Sequence, residues 1–208
     1  MDQPALPTEV KAAFELSEVA PSILLVRFSR PAERNPLSSS TLTDLSNCLP
    51  KWFSSHQIQA IIFTGENDVF ASGANIRELT SLDRSAAKHF SELGQNLLNT
   101  ISRARQRTIA AINGYCIGGA LDLALACNVR IASAEATFAH PGARLGIITG
   151  WGGTQRLPRL IGKPRALELF ATARTLDAKT ALQIGLIDQI SDPVLEAAVQ
   201  LAVARNHF

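Results

Sequence analysis

The sequence predicts an α/β fold in which buried strands alternate with helices. One observation is a change of pattern within Ile109–Cys127, where β-branched and small apolar residues give way to Ala and Leu after Gly118-Gly119. The hydrophobic pattern therefore changes from that of a strand to that of a helix at the glycines. A second observation is that an apolar run, a segment with leucines at helical spacing and another apolar run follow one another earlier in the chain. Strand, helix and strand in this order are typical of a parallel crossover.

The individual elements follow from local patterns taken in chain order. Apolar runs bounded by turn residues predict strands at 14–19, 23–28, 58–64, 109–112, 129–132, 137–139 and 186–190. Helical spacing predicts helices at 38–49, 85–104, 119–127, 155–161, 164–173, 178–185 and 193–204. Pro50 is expected to interrupt or restart the first helix, and residues 1–13 are expected to be a loosely held lead-in. The first two strands are close enough in sequence to form a hairpin.

Length and composition favour a soluble globular protein. The chain has 208 residues, of which 46% are hydrophobic, so it can bury a substantial core as one large domain or two small ones. Its 20 Lys and Arg residues nearly balance 18 Asp and Glu residues, and no basic run stands out. Aromatic residues make up only 6% of the chain and do not interleave with basic ones. We therefore expect no nucleic-acid partner.

The cysteines and the N-terminus favour a cytoplasmic setting. Cys48, Cys116 and Cys127 are an odd number without C-x-x-C spacing, so neither a disulfide framework nor a zinc site is indicated. Residues Met1–Pro4 lack the basic region and apolar core with which a signal peptide begins. We expect a reducing compartment and no bound metal.

A membrane span is one alternative for Ile109–Ala126, which is apolar apart from Asn113 and Asp122. The Asn113-Gly114 pair would break such a helix. An Asp inside the bilayer would also cost at least about 2.5 kcal/mol. We therefore expect no membrane span.

The glycine pair at Gly118-Gly119 is the first candidate for chemistry. Backbone N–H groups at a helix start have no intrahelical acceptor and lie at the positive end of the helix dipole, so they can stabilise a developing negative charge. Asp122 follows three residues later, about 4.5 Å along the helix axis and near the same face. Its carboxylate either takes part in catalysis or only stabilises the helix through the dipole, by roughly 0.3–1 kcal/mol.

The segment Phe70–Leu79 begins as a second loop of small residues and ends in a short helical pattern. Small side chains let a ligand approach the backbone, so the N–H of Ala74 could be a second donor. The alternative is an ordinary turn between a strand and a helix.

Three segments, Phe70–Ile76, Asn113–Gly119 and Gly152–Pro158, occur in this order, and the last is followed by Ile161-Gly162. Together they resemble the enoyl-CoA hydratase/isomerase family, also called the crotonase superfamily. The resemblance extends over most of the chain, from about Val26 to Ile190. Three ordered motifs are far more specific than a single glycine pattern.

The resemblance implies an α/β fold of the ClpP/crotonase type, a spiral of β-β-α units. On this basis residues 1–190 are expected to form the spiral core, and residues 191–208 to begin a shortened C-terminal helical trimerisation region. The expected partner is an acyl-CoA thioester, with coenzyme A as part of the substrate and no other cofactor. A homotrimer or hexamer is the expected assembly.

The resemblance also implies roles for residues at matching motif positions. The N–H groups of Ala74 and Gly119 would polarise the thioester carbonyl, and Asp122 would be the acid/base group. The loop from Ala74 to Arg77 and the segment from Arg30 to Leu37 would hold the CoA nucleotide, whereas that segment taken alone favours solvent-facing arginines. The residues expected to bind substrate or CoA are Arg34, Asn35, Leu37, Ser72, Gly73, Asn75, Ile76, Gly118, Gly142, Gly150 and Trp151.

Two departures from the family pattern concern the carboxylates. Family hydratases carry a glutamate where this chain has Asp122, and a second one where it has Gly142. The partner carboxylates of the similar dienoyl-CoA isomerases would fall on Gly142 and Gly150. His140 either supplies a titratable group near this gap or is a structural loop residue. Trp151 either shapes the acyl pocket or packs against a neighbouring subunit.

These observations lead to three hypotheses about function. The first is an enoyl-CoA hydratase, a lyase that adds water to a 2-enoyl-CoA. The second keeps the thioester enolate but uses it for isomerisation of an enoyl or dienoyl thioester, for decarboxylation or for thioester hydrolysis. The third, motivated by the absent carboxylate and the short C-terminal region, is a catalytically weak acyl-CoA-binding or assembly protein.

Overall fold

The computed structural model describes residues 9–204. Its strands are β1 (Glu9–Val10), β2 (Phe14–Ala20), β3 (Ile23–Phe28), β4 (Pro36–Leu37), β5 (Ala60–Thr64), β6 (Val69–Ala71), β7 (Gly73–Ala74), β8 (Arg107–Ile112), β9 (Tyr115–Ile117), β10 (Val129–Ala132), β11 (Thr137–Ala139), β12 (Leu176–Asp177) and β13 (Gln189–Ile190). Its α-helices are α1 (Ser39–Phe53), α2 (Ile76–Leu79), α3 (Arg84–Ser102), α4 (Gly119–Ala126), α5 (Gly153–Ile161), α6 (Lys163–Thr172), α7 (Ala178–Gln183) and α8 (Val194–Val203). Short 3-10 helices cover Pro31–Glu33 and Pro141–Leu145.

The large sheet has seven strands in the order β1-β2-β3-β5-β8-β10-β13. The strands β1, β2 and β3 pair antiparallel, which confirms the predicted hairpin, with Phe14 opposite Phe28. From β3 to β13 all pairs are parallel. The predicted crossover through α1 is therefore present, and it places Leu25 of β3 opposite Ile62 of β5.

A second sheet has four strands in the order β12-β11-β9-β6, and β4 pairs with β7 in a small parallel sheet. The consecutive strands β5 and β6, β8 and β9, and β10 and β11 each place one strand in the large sheet and the next in the four-stranded sheet. A helix follows each of these strand pairs before the chain returns to the large sheet or leaves the repeat. This repetition is the spiral of β-β-α units expected from the sequence.

The core lies on both faces of the large sheet. One face, the second sheet and helices α1, α3 and α4 enclose the larger cluster, in which Phe63, Phe70 and Phe138 are fully buried. The other face carries Ile62 and Ile109, which α8 covers with Val194 and Ala198. Full burial of side chains of this size contributes about 1.5–3 kcal/mol each. The packing fixes the strand ends from which the candidate site is built.

Several predicted elements differ from the structure for identifiable reasons. Helix α1 continues through Pro50 to Phe53, since the φ of proline is helical and the helix loses only the backbone hydrogen bond that Pro50 cannot donate. The strand predicted at 186–190 is reduced to Gln189–Ile190, since the N–H groups of Leu186 and Ile187 bond to the carbonyl of Ala181 at the end of α7.

The two ends of the chain complete this comparison. Glu9–Val10, which were expected to belong to a loose lead-in, form β1 and pair with β2. The prediction about a signal peptide concerns residues 1–4, which lie outside the described residues. So do residues 205–208 of the expected C-terminal region, although the predicted helix at 193–204 is confirmed as α8.

Candidate active site

The N-terminus of α4 is held by a backbone hydrogen bond to strand β11. The N–H of Gly118 donates to the carbonyl of Ala139 at 2.9 Å, which ties the turn to β11. Gly118 has φ of 60° and ψ of −123°, a backbone conformation that favours glycine. Gly119 is the first residue of α4, so its N–H has no acceptor within the helix. A free donor at the positive end of a helix dipole is thus available at Gly119.

Strand β7 lies directly against this helix start. Gly73 has φ of +80°, and a Cβ atom there would lie 2.5 Å from the amide nitrogen of Gly119 and 2.6 Å from the carbonyl oxygen of Ile117. Only a glycine permits this approach of the two backbones. As a result Ala74, which follows Gly73, and Gly119 line the same pocket.

The pocket has a volume of about 240 Å³ and is mainly apolar. Its hydrophobic walls are made by Ile76, Leu79, Ala87, Phe90, Leu145, Ile147, Ile148 and Trp151. Its polar groups come from Ser72, Ser91, Asp122, His140 and Thr149 and from the backbone of the glycines. An apolar cleft with a few convergent polar groups is typical of a small-molecule site.

Trp151 is only 4% exposed and forms part of the pocket wall. Its indole ring lies between Gly94 of α3 and Gly119 of α4, and a Cβ atom on either glycine would overlap the ring. The ring also packs against Phe90 with 5.3 Å between ring centroids. The ring is therefore a fixed part of this pocket wall.

Asp122 is completely buried at the wall of the pocket. Burial raises the pKa of its carboxyl to about 7, because the charged form loses its hydration; the hydroxyl of Thr149 and the positive charge of Arg156 oppose the shift. Thr149 Oγ1 donates a hydrogen bond to Asp122 Oδ2. Asp122 can therefore exist in both protonation states near neutral pH, which suits an acid/base group.

His140 lies beside Asp122 on the same wall. Its Nε2 atom is 3.4 Å from Asp122 Oδ1, and neither atom has a hydrogen-bond partner within residues 9–204. Burial lowers the pKa of His140 to about 4, so the ring is neutral at pH 7. The imidazole packs against the ring of Phe170 in α6.

Gly142, where the family pattern has a carboxylate, belongs to the 3-10 helix at Pro141–Leu145. Its carbonyl accepts from the N–H of Ile147 at 3.0 Å. A Cβ atom at this position would lie 2.5 Å from the carbonyl oxygen of Ile147. The loop therefore has no room for a side chain here, and Asp122 is the one carboxylate among the residues that line the described pocket.

The structure brings nine of the expected site residues to this pocket, namely Ser72, Ala74, Ile76, Gly118, Gly119, Asp122, Gly142, Gly150 and Trp151. Five others, Arg34, Asn35, Leu37, Gly73 and Asn75, are not among its lining residues.

Four of those five residues make other contacts. Asn35 is 3% exposed, donates to the carbonyls of Val69 and Phe70, and accepts from the N–H of Arg30. Leu37 is in the core. The guanidinium of Arg34 stacks 5.2 Å from the ring centroid of Tyr115, and Asn75 caps α2. Their proposed contacts with CoA remain predictions, and the side chain of Asn35 is already engaged.

Sequence reasoning missed Thr149 and most of the apolar lining apart from Ile76 and Trp151. Thr149 is 27 residues from Asp122 in an irregular loop, and no spacing rule connects two such positions. Phe90 carried a signal, since it is on the apolar face predicted for the helix at 85–104, but that pattern indicates burial and not a pocket.

Two negative findings concern residues 9–204 only. No group of three or more His, Cys, Asp or Glu side chains is placed to hold a metal ion there. Within the same residues, no helix has the length and apolar character needed to cross a membrane.

Solved structures define the class of protein to which this fold and pocket belong. An enoyl-CoA hydratase from Bacillus anthracis superposes with a TM-score of 0.88 at 32% identity, over 91% of this chain and 75% of that chain. DspI from Pseudomonas aeruginosa gives the same TM-score at 31% identity, over 92% of this chain and 79% of that one. The fold is therefore that of the crotonase superfamily.

The family assignment follows from sequence. The family model for enoyl-CoA hydratase/isomerase matches residues 18–205. A short-chain-enoyl-CoA hydratase from Clostridium acetobutylicum is 35% identical over 82% of this chain and 66% of that protein. A probable enoyl-CoA hydratase from Bacillus subtilis is 42% identical over 74% of this chain and 60% of that protein. The chain belongs to the enoyl-CoA hydratase/isomerase family, and its matches span less than two thirds of these two relatives.

Proposed function

We propose that the protein binds acyl-CoA thioesters and adds water across the double bond of a 2-enoyl-CoA. The observation that carries the proposal is the meeting of Ala74, Gly119 and Asp122 in one apolar pocket. The names of the relatives, which include a short-chain-enoyl-CoA hydratase and a crotonyl-CoA hydratase, support a small enoyl group as substrate.

In this proposal the thioester carbonyl accepts hydrogen bonds from the N–H groups of Ala74 and Gly119. Addition of water at C3 places negative charge on that oxygen as the enolate forms. The dipole of α4 and the two donors would stabilise this charge in a mainly apolar pocket. Loss of one such donor typically costs about 100- to 1000-fold in rate.

Asp122 supplies acid/base chemistry in this reaction. A hydration needs one proton removed from water and one delivered to C2. A carboxyl whose pKa is raised to about 7 by burial can take up and release protons near neutral pH. Its position three residues into α4, at the wall of the same pocket, supports this role.

The second candidate function is isomerisation of an enoyl-CoA double bond. Moving a proton between two carbons of one substrate can be done by a single base, whereas hydration also has to activate water. Asp122 is the one carboxylate among the pocket-lining residues, which favours this alternative.

The assembly and the compartment complete the proposal. We propose a homotrimer or hexamer, as the family resemblance implies, and coenzyme A only as part of the substrate. A reducing, cytoplasmic compartment is supported by Cys48, Cys116 and Cys127, which are all free and buried.

The test is hydration of crotonyl-CoA by the purified protein, followed by loss of the conjugated enone absorbance. Asp122→Asn is expected to lower turnover at least about 100-fold, while Asp68→Asn, at an exposed carboxylate outside the pocket, leaves it unchanged. Absence of turnover together with intact binding of butyryl-CoA would exclude the hydratase. Conversion of a 3-enoyl-CoA without hydration would establish the isomerase. Equal rates for wild type and Asp122→Asn would make Asp122 structural.

A further inference from the structure

His140 and Asp122, which both line the pocket, bring two buried polar atoms close together. Nε2 of His140 and Oδ1 of Asp122 are 3.4 Å apart, and neither has a hydrogen-bond partner among the described residues. Both side chains are almost wholly buried, and both line the pocket. Buried polar atoms without a partner are uncommon because each costs about 1–3 kcal/mol. Such a pair is explained when a polar ligand completes it.

The arrangement also accounts for the absent carboxylate at Gly142. The loop turn leaves no space for a side chain at that position, because a Cβ atom would contact the carbonyl oxygen of Ile147. His140, two residues earlier in the same loop, instead places its imidazole on the pocket wall, where Phe170 supports the ring. The loop thus provides a titratable group from a different position.

We propose that His140 is the second acid–base residue of the hydration reaction and that it acts with Asp122 on a single water molecule. This inference rests on the proposed hydratase function. A water oxygen at hydrogen-bond distance from both Nε2 and Oδ1 donates one hydrogen to the imidazole and remains directed by the carboxyl group. The 3.4 Å separation suits this geometry, since both atoms can contact the same oxygen.

The reaction balances with a neutral imidazole and a protonated carboxyl at the start. The water oxygen bonds to C3 of the enoyl group as its proton passes to His140 Nε2, and the electron pair of the double bond moves into the enolate. Asp122 then delivers its proton to C2, and the thioester carbonyl re-forms. Imidazolium and carboxylate are left side by side, and transfer of the proton from His140 to Asp122 restores the starting state.

The surroundings favour this starting state. Burial disfavours the charged form of each residue, so the imidazole is neutral above about pH 4 and the carboxyl is protonated below about pH 7. One other charged group acts on Asp122, the guanidinium of Arg156 in α5, which opposes protonation of the carboxyl. The thiol of Cys116 in β9 stays protonated, because burial and the charge of Asp122 both raise its pKa. The pair therefore holds one proton over the pH range between its two apparent pKa values.

The test compares wild type with His140→Gln and His140→Asn in crotonyl-CoA hydration, with the exposed His56→Gln as matched control. We expect kcat to fall at least about 100-fold in both His140 variants, with KM and the Kd for butyryl-CoA within about twofold. The wild-type pH profile should be bell-shaped, with limbs near pH 4 and 7. The acid limb should disappear in a His140 variant, an effect that loss of packing alone would not produce.

The outcomes separate the two proposals. A kcat within threefold of wild type and an unchanged pH profile overturn the role of His140 and leave the hydratase intact. Loss of butyryl-CoA binding in both His140 variants makes this histidine structural and also overturns the inference. Absence of hydration in the wild type overturns the hydratase and the inference together.

Discussion

Replacement of Asp122 by Asn is expected to stabilise the protein at alkaline pH. The unfolded chain loses the proton of this carboxyl near pH 3.8, whereas the folded protein holds it to about pH 7. The folded state therefore binds more protons in this window, and its free energy of unfolding falls as the pH rises. The full shift of about three pKa units corresponds to about 4 kcal/mol, since each unit is about 1.4 kcal/mol.

The assay is urea denaturation of wild type and Asp122→Asn at pH 5 and pH 8. Over this interval the difference in free energy of unfolding between the two proteins should change by about 2.5 kcal/mol in favour of the variant. Asp68→Asn, at an exposed site, controls for general charge effects. A difference that stays constant between the two pH values would show that Asp122 has an ordinary pKa and would refute the burial argument.

Three further predictions concern the same pocket. The folded protein keeps His140 neutral, so the contribution of this residue to the free energy of unfolding rises with pH between about 4 and 6.5 and cancels the falling contribution of Asp122. In His140→Gln only the contribution of Asp122 remains, so the free energy of unfolding should fall by about 2 kcal/mol between pH 4.5 and 6. In wild type the two contributions leave it level over this interval in the same urea assay. Gly119→Ala places a Cβ atom in the Trp151 ring, so butyryl-CoA binding should weaken at least tenfold by calorimetry; unchanged affinity would contradict the packing. Trp151→Ala should cost about 3–5 kcal/mol of stability and raise kcat/KM for octenoyl-CoA relative to crotonyl-CoA at least tenfold; an unchanged ratio would exclude the ring from the acyl pocket.

The sequence predicted the elements with strong periodicity and clear boundaries. The change at Gly118-Gly119 marks the start of α4, and α1 starts at Ser39, one residue after the predicted start, where the side chain of Ser38 caps it. Strand β9 was missed because Tyr115–Ile117 lies between Asn113-Gly114 and Gly118-Gly119, where the sequence indicates a turn, and it is defined by its neighbours β6 and β11. Short strands depend on tertiary pairing, which local patterns do not contain.

The candidate site shows the same limit. The meeting of the glycine turn and Ala74 at one pocket could be predicted, because motifs record glycines and small residues at close backbone approaches. The 3.4 Å approach of His140 to Asp122 could not, since it is created by packing of a loop 18 residues further along the chain. Likewise Asn35 was predicted to contact CoA from its loop, whereas its burial against β6 is decided by long-range folding.

The indole of Trp151 links positions that are far apart in the chain. Gly94 and Gly119 both contact this ring, so a side chain at either position would overlap it. Natural variation should follow this constraint: a small residue at position 151 permits side chains at position 94, while a large one requires glycine there. Relatives that differ at these positions should therefore differ at both together, and their acyl pockets should change in depth by the volume of an aromatic ring.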